Sequence, residues 1–155
     1  MTIALPSRRA LARPLAAVFL LAALATVSAP LVQAQTAGGR VTAHALDLYT
    51  GTPANGLRID LLAIEGTASK VLKTLTTNAD GRPPEGPLLT AETIKTGRYQ
   101  AVLYIGDYYR RVVAKLPDNF HTRLILEFDI TDAKQPLHLP FQITPFTQSA
   151  SVLPG

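Results

Sequence analysis

Short segments in which apolar side chains recur at every second position constrain the fold of this chain more than any other feature. In residues 137–145 the apolar positions run from Leu137 to Ile143, and polar residues or proline fill the positions between them. A period of two places the two sets on opposite faces of a strand, so the segment predicts a strand with one buried face. His138 then lies on the face that points away from the core.

Similar segments recur along the chain, with turn residues at a spacing of about ten residues. We predict strands at 40–48, 57–64, 70–77, 97–105, 122–130 and 137–145, a short edge strand at 88–93, and a short helix at 107–115 that is N-capped by Asp107. No alternation of strands with long helices is present. The pattern therefore predicts an all-β protein, a two-sheet antiparallel β-sandwich with one short helix.

The first 34 residues predict an export signal. Arginines at positions 8, 9 and 13 precede an apolar run at 15–25, and small residues at 32–34 offer a cleavage site. The apolar run is short for a membrane anchor, which needs about 20 residues. Residues 7–13 also resemble a twin-arginine export motif, and the export route stays open. We therefore expect a signal peptide at 1–34, one folded domain at 35–155, a periplasmic or secreted location, and no stable membrane insertion after cleavage.

The charge of the chain is concentrated in the predicted signal. The full sequence has 15 Lys and Arg against 11 Asp and Glu, and three of the arginines lie in residues 1–34, which contain no acidic residue. The remainder is nearly neutral, so the composition predicts no nucleic-acid partner. The chain contains no cysteine, which excludes disulfides and thiolate zinc sites.

Candidate chemical groups are few. The chain has three histidines, His44, His121 and His138, and each alone fits a structural role. Their spacing shows no short-range metal-binding pair, so no metal is predicted. Arg82 precedes two prolines, which stiffen the backbone and hold a guanidinium at a defined place. The residues by themselves indicate an exported β-sandwich with a candidate polar site.

Three separated motifs add a family resemblance across residues 40–146. They are Thr42–Asp47 followed by Gly51–Ala54, Thr77–Arg82, and His138–Pro140 followed by Thr144–Phe146. In this order they resemble the transthyretin-like family, and in particular its enzymatic branch, the hydroxyisourate hydrolases.

The resemblance implies a transthyretin-like sandwich assembled as a homotetramer, with sites in a channel between dimers. The catalytic residues of the family match His44, Arg82 and His138. The implied activity is hydrolysis of 5-hydroxyisourate, a purine-derived small molecule, to 2-oxo-4-hydroxy-4-carboxy-5-ureidoimidazoline in urate catabolism. The histidines would jointly activate water and transfer protons, and Arg82 would bind the substrate. No cofactor or metal is implied.

The carboxy-terminal end departs from the family pattern. The enzymes of this branch end in Tyr-Arg-Gly-Ser, whereas residues 151–154 of this chain read Ser-Val-Leu-Pro. This departure supports an alternative hypothesis, a non-catalytic exported protein that binds a small molecule on the same fold. A third hypothesis, a structural or adhesive exported sandwich, rests on the predicted signal and the nearly neutral remainder of the chain.

Overall fold

The computed structural model describes residues 38–116 and 118–155, and the predicted signal peptide at 1–34 lies outside them. The elements in chain order are β1 (Val41–Asp47), β2 (Thr52–Pro53), β3 (Arg58–Glu65), β4 (Ala68–Thr76), β5 (Gly97–Leu103), α1 (Ile105–Val112), β6 (Leu124–Ile130), β7 (Leu137–Ile143), β8 (Gln148–Ala150) and β9 (Leu153–Pro154). No helix among these elements is long and apolar enough to cross a membrane.

The strands form two sheets. Sheet 1 has the order β2–β1–β7, and both β8 and β9 pair with the outer edge of β7; sheet 2 has the order β4–β3–β5–β6. The predicted two-sheet, all-β architecture with one short helix is confirmed. Among the strand pairs of the described residues, β1–β7 alone is parallel. Side chains alternate in the same way in both kinds of pair, so the sequence pattern does not reveal this direction.

The core lies between the sheets, on the faces that the alternation predicts. In sheet 1 the fully buried side chains include Val41 of β1 and Phe141 of β7, and in sheet 2 they include Leu61 of β3 and Leu103 of β5. Burying each large apolar side chain contributes roughly 1.5–3 kcal/mol. The same alternation sends the intervening side chains of β1 and β7 to the outer face of sheet 1.

Three predicted elements differ in the structure. The strand predicted at 97–105 ends at Leu103, because Ile105 already begins α1. Residues 88–93 do not form a strand; Leu89 makes only an isolated bridge with Val41, and the chain then turns, with the Ile94 N–H donating to the Thr90 carbonyl.

The predicted helix begins two residues earlier and ends at Val112. Tyr104 occupies its N-cap without a side-chain hydrogen bond, so the prediction that Asp107 caps the helix is wrong. The helix starts at Ile105 because its first turn, including Ile105 and Gly106, is buried.

A buried polar network ties α1 to the end of β1. The fully buried Asp47 carboxylate accepts hydrogen bonds from the hydroxyls of Thr50 (2.7 Å), Tyr108 (3.0 Å) and Tyr109 (2.6 Å). Burial and the neighbouring carboxylate raise the pKa of both phenols, so both stay protonated donors. This network fixes β1 three residues beyond His44.

Candidate functional site

The parallel pairing of β1 and β7 places two histidines on the outer face of sheet 1. Thr42 is opposite His138 and His44 is opposite Pro140, and both imidazoles are half-buried. With strands about 4.8 Å apart and a rise of about 3.3 Å per residue, the two histidine Cα atoms lie about 8 Å apart. That separation allows both rings to contact one small molecule.

A folded loop carries Arg82 to the side of β1 opposite β7. The Asn78 Oδ1 atom accepts hydrogen bonds from the N–H groups of Asp80 (3.0 Å) and Arg82 (3.1 Å), and the Asn78 N–H donates to the Arg82 carbonyl (2.8 Å). Pro83, the next residue, is buried. The backbone at Arg82 is therefore held on both sides, while its side chain is exposed and makes no hydrogen bond or ion pair with the described residues.

Gly81 allows this loop to approach β1 closely. Its φ is 70°, and a Cβ atom built there would lie 2.2 Å from the Ala45 carbonyl oxygen. The Ala45 N–H donates to the Gly81 carbonyl at 2.9 Å. Any side chain at this position would strain the backbone and push the loop off the strand, and would move Arg82 with it.

The three predicted residues lie in one region of sheet 1. His44 and His138 are on the outer face of paired strands, and the loop that carries Arg82 is hydrogen-bonded to β1 one residue beyond His44. In keeping with this arrangement, burial lowers the pKa of His138 below its ordinary value of 6.5, and the charges of Arg82 and His44 lower it further. The structure does not bring in His121, whose backbone N–H donates to the carbonyl of Pro145, beyond the opposite end of β7.

The hollow beside these residues is shallow in a single chain. It measures about 160 Å³ and is lined by Thr42, Ala43, Arg82 and Pro83 together with Gly86 and Pro87. Small-molecule pockets usually enclose about 300–1,000 Å³. A larger cleft of about 420 Å³ lies next to Arg98 and Asp129 on sheet 2, but these two side chains already pair with each other at 3.5 Å.

Sequence reasoning missed one neighbour of His138. The Thr42 Oγ1 atom lies 2.9 Å from His138 Nδ1 and donates to the Leu137 carbonyl at 3.3 Å. The alternation of β1 does place Thr42 on the same face as His44. Its pairing with His138 depends on the direction and register of β7, which no local pattern specifies.

The carboxy-terminal tail adds an apolar neighbour. Strands β8 and β9 follow one antiparallel register along β7, interrupted where Pro140 lacks a backbone N–H. Leu153 is directly opposite His138 and is 45% exposed. Sequence reasoning recognised that residues 151–154 differ from the family pattern but did not predict that two of them, Leu153 and Pro154, form a strand beside the histidine.

No group of three or more His, Cys, Asp or Glu side chains that could hold a metal ion occurs within residues 38–116 and 118–155. The polar groups of the candidate site are two imidazoles, one guanidinium and one hydroxyl. This set is suited to proton transfer and to binding an oxygen-rich, electron-rich substrate.

Relatives of this chain include proteins named 5-hydroxyisourate hydrolase and transthyretin. The chain is 43% identical over 112 residues to "5-hydroxyisourate hydrolase 2" of Rhizobium meliloti (strain 1021), a match that covers 72% of this chain and 92% of the relative. The solved 5-hydroxyisourate hydrolase of Klebsiella pneumoniae is 32% identical, with a TM-score of 0.60 over 74% of this chain and 99% of that one.

A sea bream transthyretin solved with thyroxine shares the fold, with a TM-score of 0.67 at 19% identity over 75% of this chain and 96% of that one. The family model of the HIUase/Transthyretin family matches residues 41–150, which is most of the sequence. The order of the strands, the match to the family model and the identity to the Rhizobium enzyme agree: this chain belongs to the HIUase/transthyretin family.

Proposed function

We propose that this protein hydrolyses 5-hydroxyisourate to 2-oxo-4-hydroxy-4-carboxy-5-ureidoimidazoline. The observation that carries the proposal is the placement of His44 and His138 on one face of adjacent parallel strands, with Arg82 held at the edge of the same face. The relatives named as 5-hydroxyisourate hydrolases support the choice of substrate.

The reaction opens a cyclic amide. Water adds to the ring carbonyl carbon, the bond from that carbon to the ring nitrogen breaks, and the nitrogen leaves with a proton while a carboxylate forms. A neutral imidazole takes the proton from the attacking water, and the second imidazole orients that water or protonates the departing nitrogen. We assign these two steps jointly to His44 and His138.

Arg82 supplies the positive charge. Its planar guanidinium donates two parallel hydrogen bonds to the carbonyl edge of the substrate and stabilises the oxyanion that develops during water addition. Because the backbone at Arg82 is held by Asn78, the side chain starts from a fixed point close to β1. The guanidinium itself has no partner among the described residues, so its donors are free to bind the substrate.

Assembly would deepen the site. The proposed homotetramer places the outer face of sheet 1 against another copy, which would enclose the shallow hollow beside Arg82. Exposed apolar side chains at Leu48, Phe146 and Leu153, on or near this sheet, support such a contact. The predicted signal at residues 1–34 supports a periplasmic or secreted location for the assembled enzyme.

The second candidate is a non-catalytic protein that binds a small molecule at the same place. It is favoured by Leu153, which contributes an apolar surface next to His138. A binding protein would retain a ligand without turning it over, and its affinity would not depend on a neutral imidazole.

The test is to add the purified protein to freshly oxidised urate and follow the ultraviolet decay of 5-hydroxyisourate. We expect decay faster than the spontaneous reaction, strongly reduced in His44→Asn and unchanged in His121→Asn, which serves as the matched histidine control. Decay at the spontaneous rate by the folded protein would reject the hydrolase. Saturable binding under those conditions would favour the second candidate.

A further inference from the structure

We propose that Thr42 is a positioning residue that holds the neutral His138 ring in the tautomer with the proton on Nδ1, which leaves Nε2 free to act as the base. The inference rests on the proposed function because it names a residue that prepares the same site. It assigns the Thr42 hydroxyl to holding the imidazole and gives it no part in the chemical step.

The backbone holds the hydroxyl and the ring together. Thr42 and His138 are directly opposite each other in the parallel pair, so their side chains leave the sheet side by side. A threonine in a strand has few χ1 rotamers, because its β-carbon is branched. The Thr42 Oγ1 atom therefore stays 2.9 Å from His138 Nδ1 without a large loss of side-chain entropy.

The Thr42 hydroxyl has one proton and two neighbouring acceptor positions. We assign this proton to the Leu137 carbonyl, which lies 3.3 Å from Oγ1 and can only accept. With this assignment the Thr42 oxygen accepts from Nδ1, so Nδ1 carries the ring proton. In a neutral imidazole the other nitrogen, Nε2, is then unprotonated.

The Nε2 atom is open to reactants. None of the described residues forms a hydrogen bond to it. Every buried side-chain nitrogen or oxygen atom of the described residues has a partner, so Nε2, which has none, is not buried. Since His138 is only half-buried, Nε2 reaches solvent on the outer face of sheet 1. An exposed lone pair at this position can accept a proton from water.

The neutral form is also the one that this environment favours. Burial lowers the pKa of His138, and so do Arg82 and His44, which are the two charged or titratable groups that act on its ring. The paired tail residues Leu153 and Pro154 add no charge. A tautomer has meaning only in a neutral ring, so the environment and the Thr42 hydrogen bond act together.

The experiment compares Thr42→Val, which keeps the branched shape and removes the hydroxyl, with Thr42→Ser, which keeps the hydroxyl. Thr76→Val on β4 is the control, since that threonine is exposed and its side chain makes no hydrogen bond with the described residues. Nitrogen NMR of histidine-labelled protein without substrate reports which ring nitrogen of His138 carries the proton. Steady-state kinetics on 5-hydroxyisourate then separate kcat from KM.

We expect wild type and Thr42→Ser to show the proton on Nδ1. Thr42→Val should gain the tautomer with the proton on Nε2 and lose roughly 3- to 10-fold in kcat, the value of one hydrogen bond, at unchanged KM. An Nε2 proton in wild type, or a Thr42→Val protein with an unchanged tautomer, would overturn the proposal. The NMR result needs no turnover, so it stands apart from failure of the hydrolase assignment.

Discussion

The polar side chains on the outer faces of the two sheets differ in how fully they are hydrogen-bonded to other side chains. On sheet 2, Asp60 is buried, with 4% of the residue exposed, and its carboxylate accepts hydrogen bonds from Arg58 (2.8 Å), Thr74 (2.8 Å) and Tyr104 (2.7 Å). On sheet 1, the side chain of His138 has one partner among the described residues, the Thr42 hydroxyl. A cluster whose members hydrogen-bond to one another stabilises the fold. Groups that are held in place but keep unused hydrogen-bond donors or acceptors are available to a substrate.

The largest expected effect is on catalysis at sheet 1. Replacing His138 with Asn removes a proton acceptor from the half-buried face, so kcat/KM should fall by about two to four orders of magnitude. The free energy of unfolding should change little, because the ring makes a single hydrogen bond within the described chain. Ultraviolet kinetics measure kcat/KM, and urea denaturation measures the free energy of unfolding. A large loss of stability with normal kcat/KM would show that His138 serves the fold and not catalysis.

The next effect is on stability at sheet 2. Asp60→Ala removes the carboxylate that Arg58, Thr74 and Tyr104 share, and should destabilise the fold by about 1–3 kcal/mol. The value stays moderate because the Arg58 side chain is 50% exposed and water replaces its partner. Urea denaturation gives the loss, and kcat/KM should remain near that of wild type. A drop in kcat/KM comparable to that of His138→Asn would show that the two faces are not separate.

The smallest expected effect is on the pKa of His138. Because burial, Arg82 and His44 lower the pKa of His138, proton NMR should show a pKa below 6.5, and the ring should be neutral at pH 7. The lowered value stabilises the fold above pH 6.5, and this contribution is lost as the pH falls toward the folded-state pKa.

Arg82→Gln should raise the His138 pKa toward 6.5, since one positive charge beside the ring is removed. Arg98→Gln is the matched control, because Arg98 pairs with Asp129 on sheet 2. A His138 pKa that does not respond to Arg82→Gln would remove Arg82 from the site.

The sequence predicted the faces of the strands better than their partners. Alternation alone placed Phe141 in the core and His138 outside, and both placements are confirmed. It could not reveal that β1 and β7 run parallel, because the direction of a pair depends on chain topology rather than on local period. Strands β8 and β9 were not predicted, since the tail has no sustained alternation and obtains its hydrogen bonds from the edge of β7.

The candidate site was predicted through the family resemblance and not through spacing. His44 and His138 lie near opposite ends of the folded chain, and only the parallel register brings them together. The fixed loop at Arg82 had a local signal in Asn78, Gly81 and the following prolines, because these residues favour a tight, rigid turn. Thr42 had none, since a polar residue on the outer face of a strand is ordinary.

The most direct test of the claim that sheet 1 carries one catalytic unit is a double-mutant cycle on kcat/KM with His44→Asn, His138→Asn and the double variant. If both imidazoles act in one reaction, the double variant should lose about as much as the more damaging single variant, because removing either one already disables the unit. Losses that multiply, or a His44→Asn protein with the wild-type kcat/KM, would contradict the account.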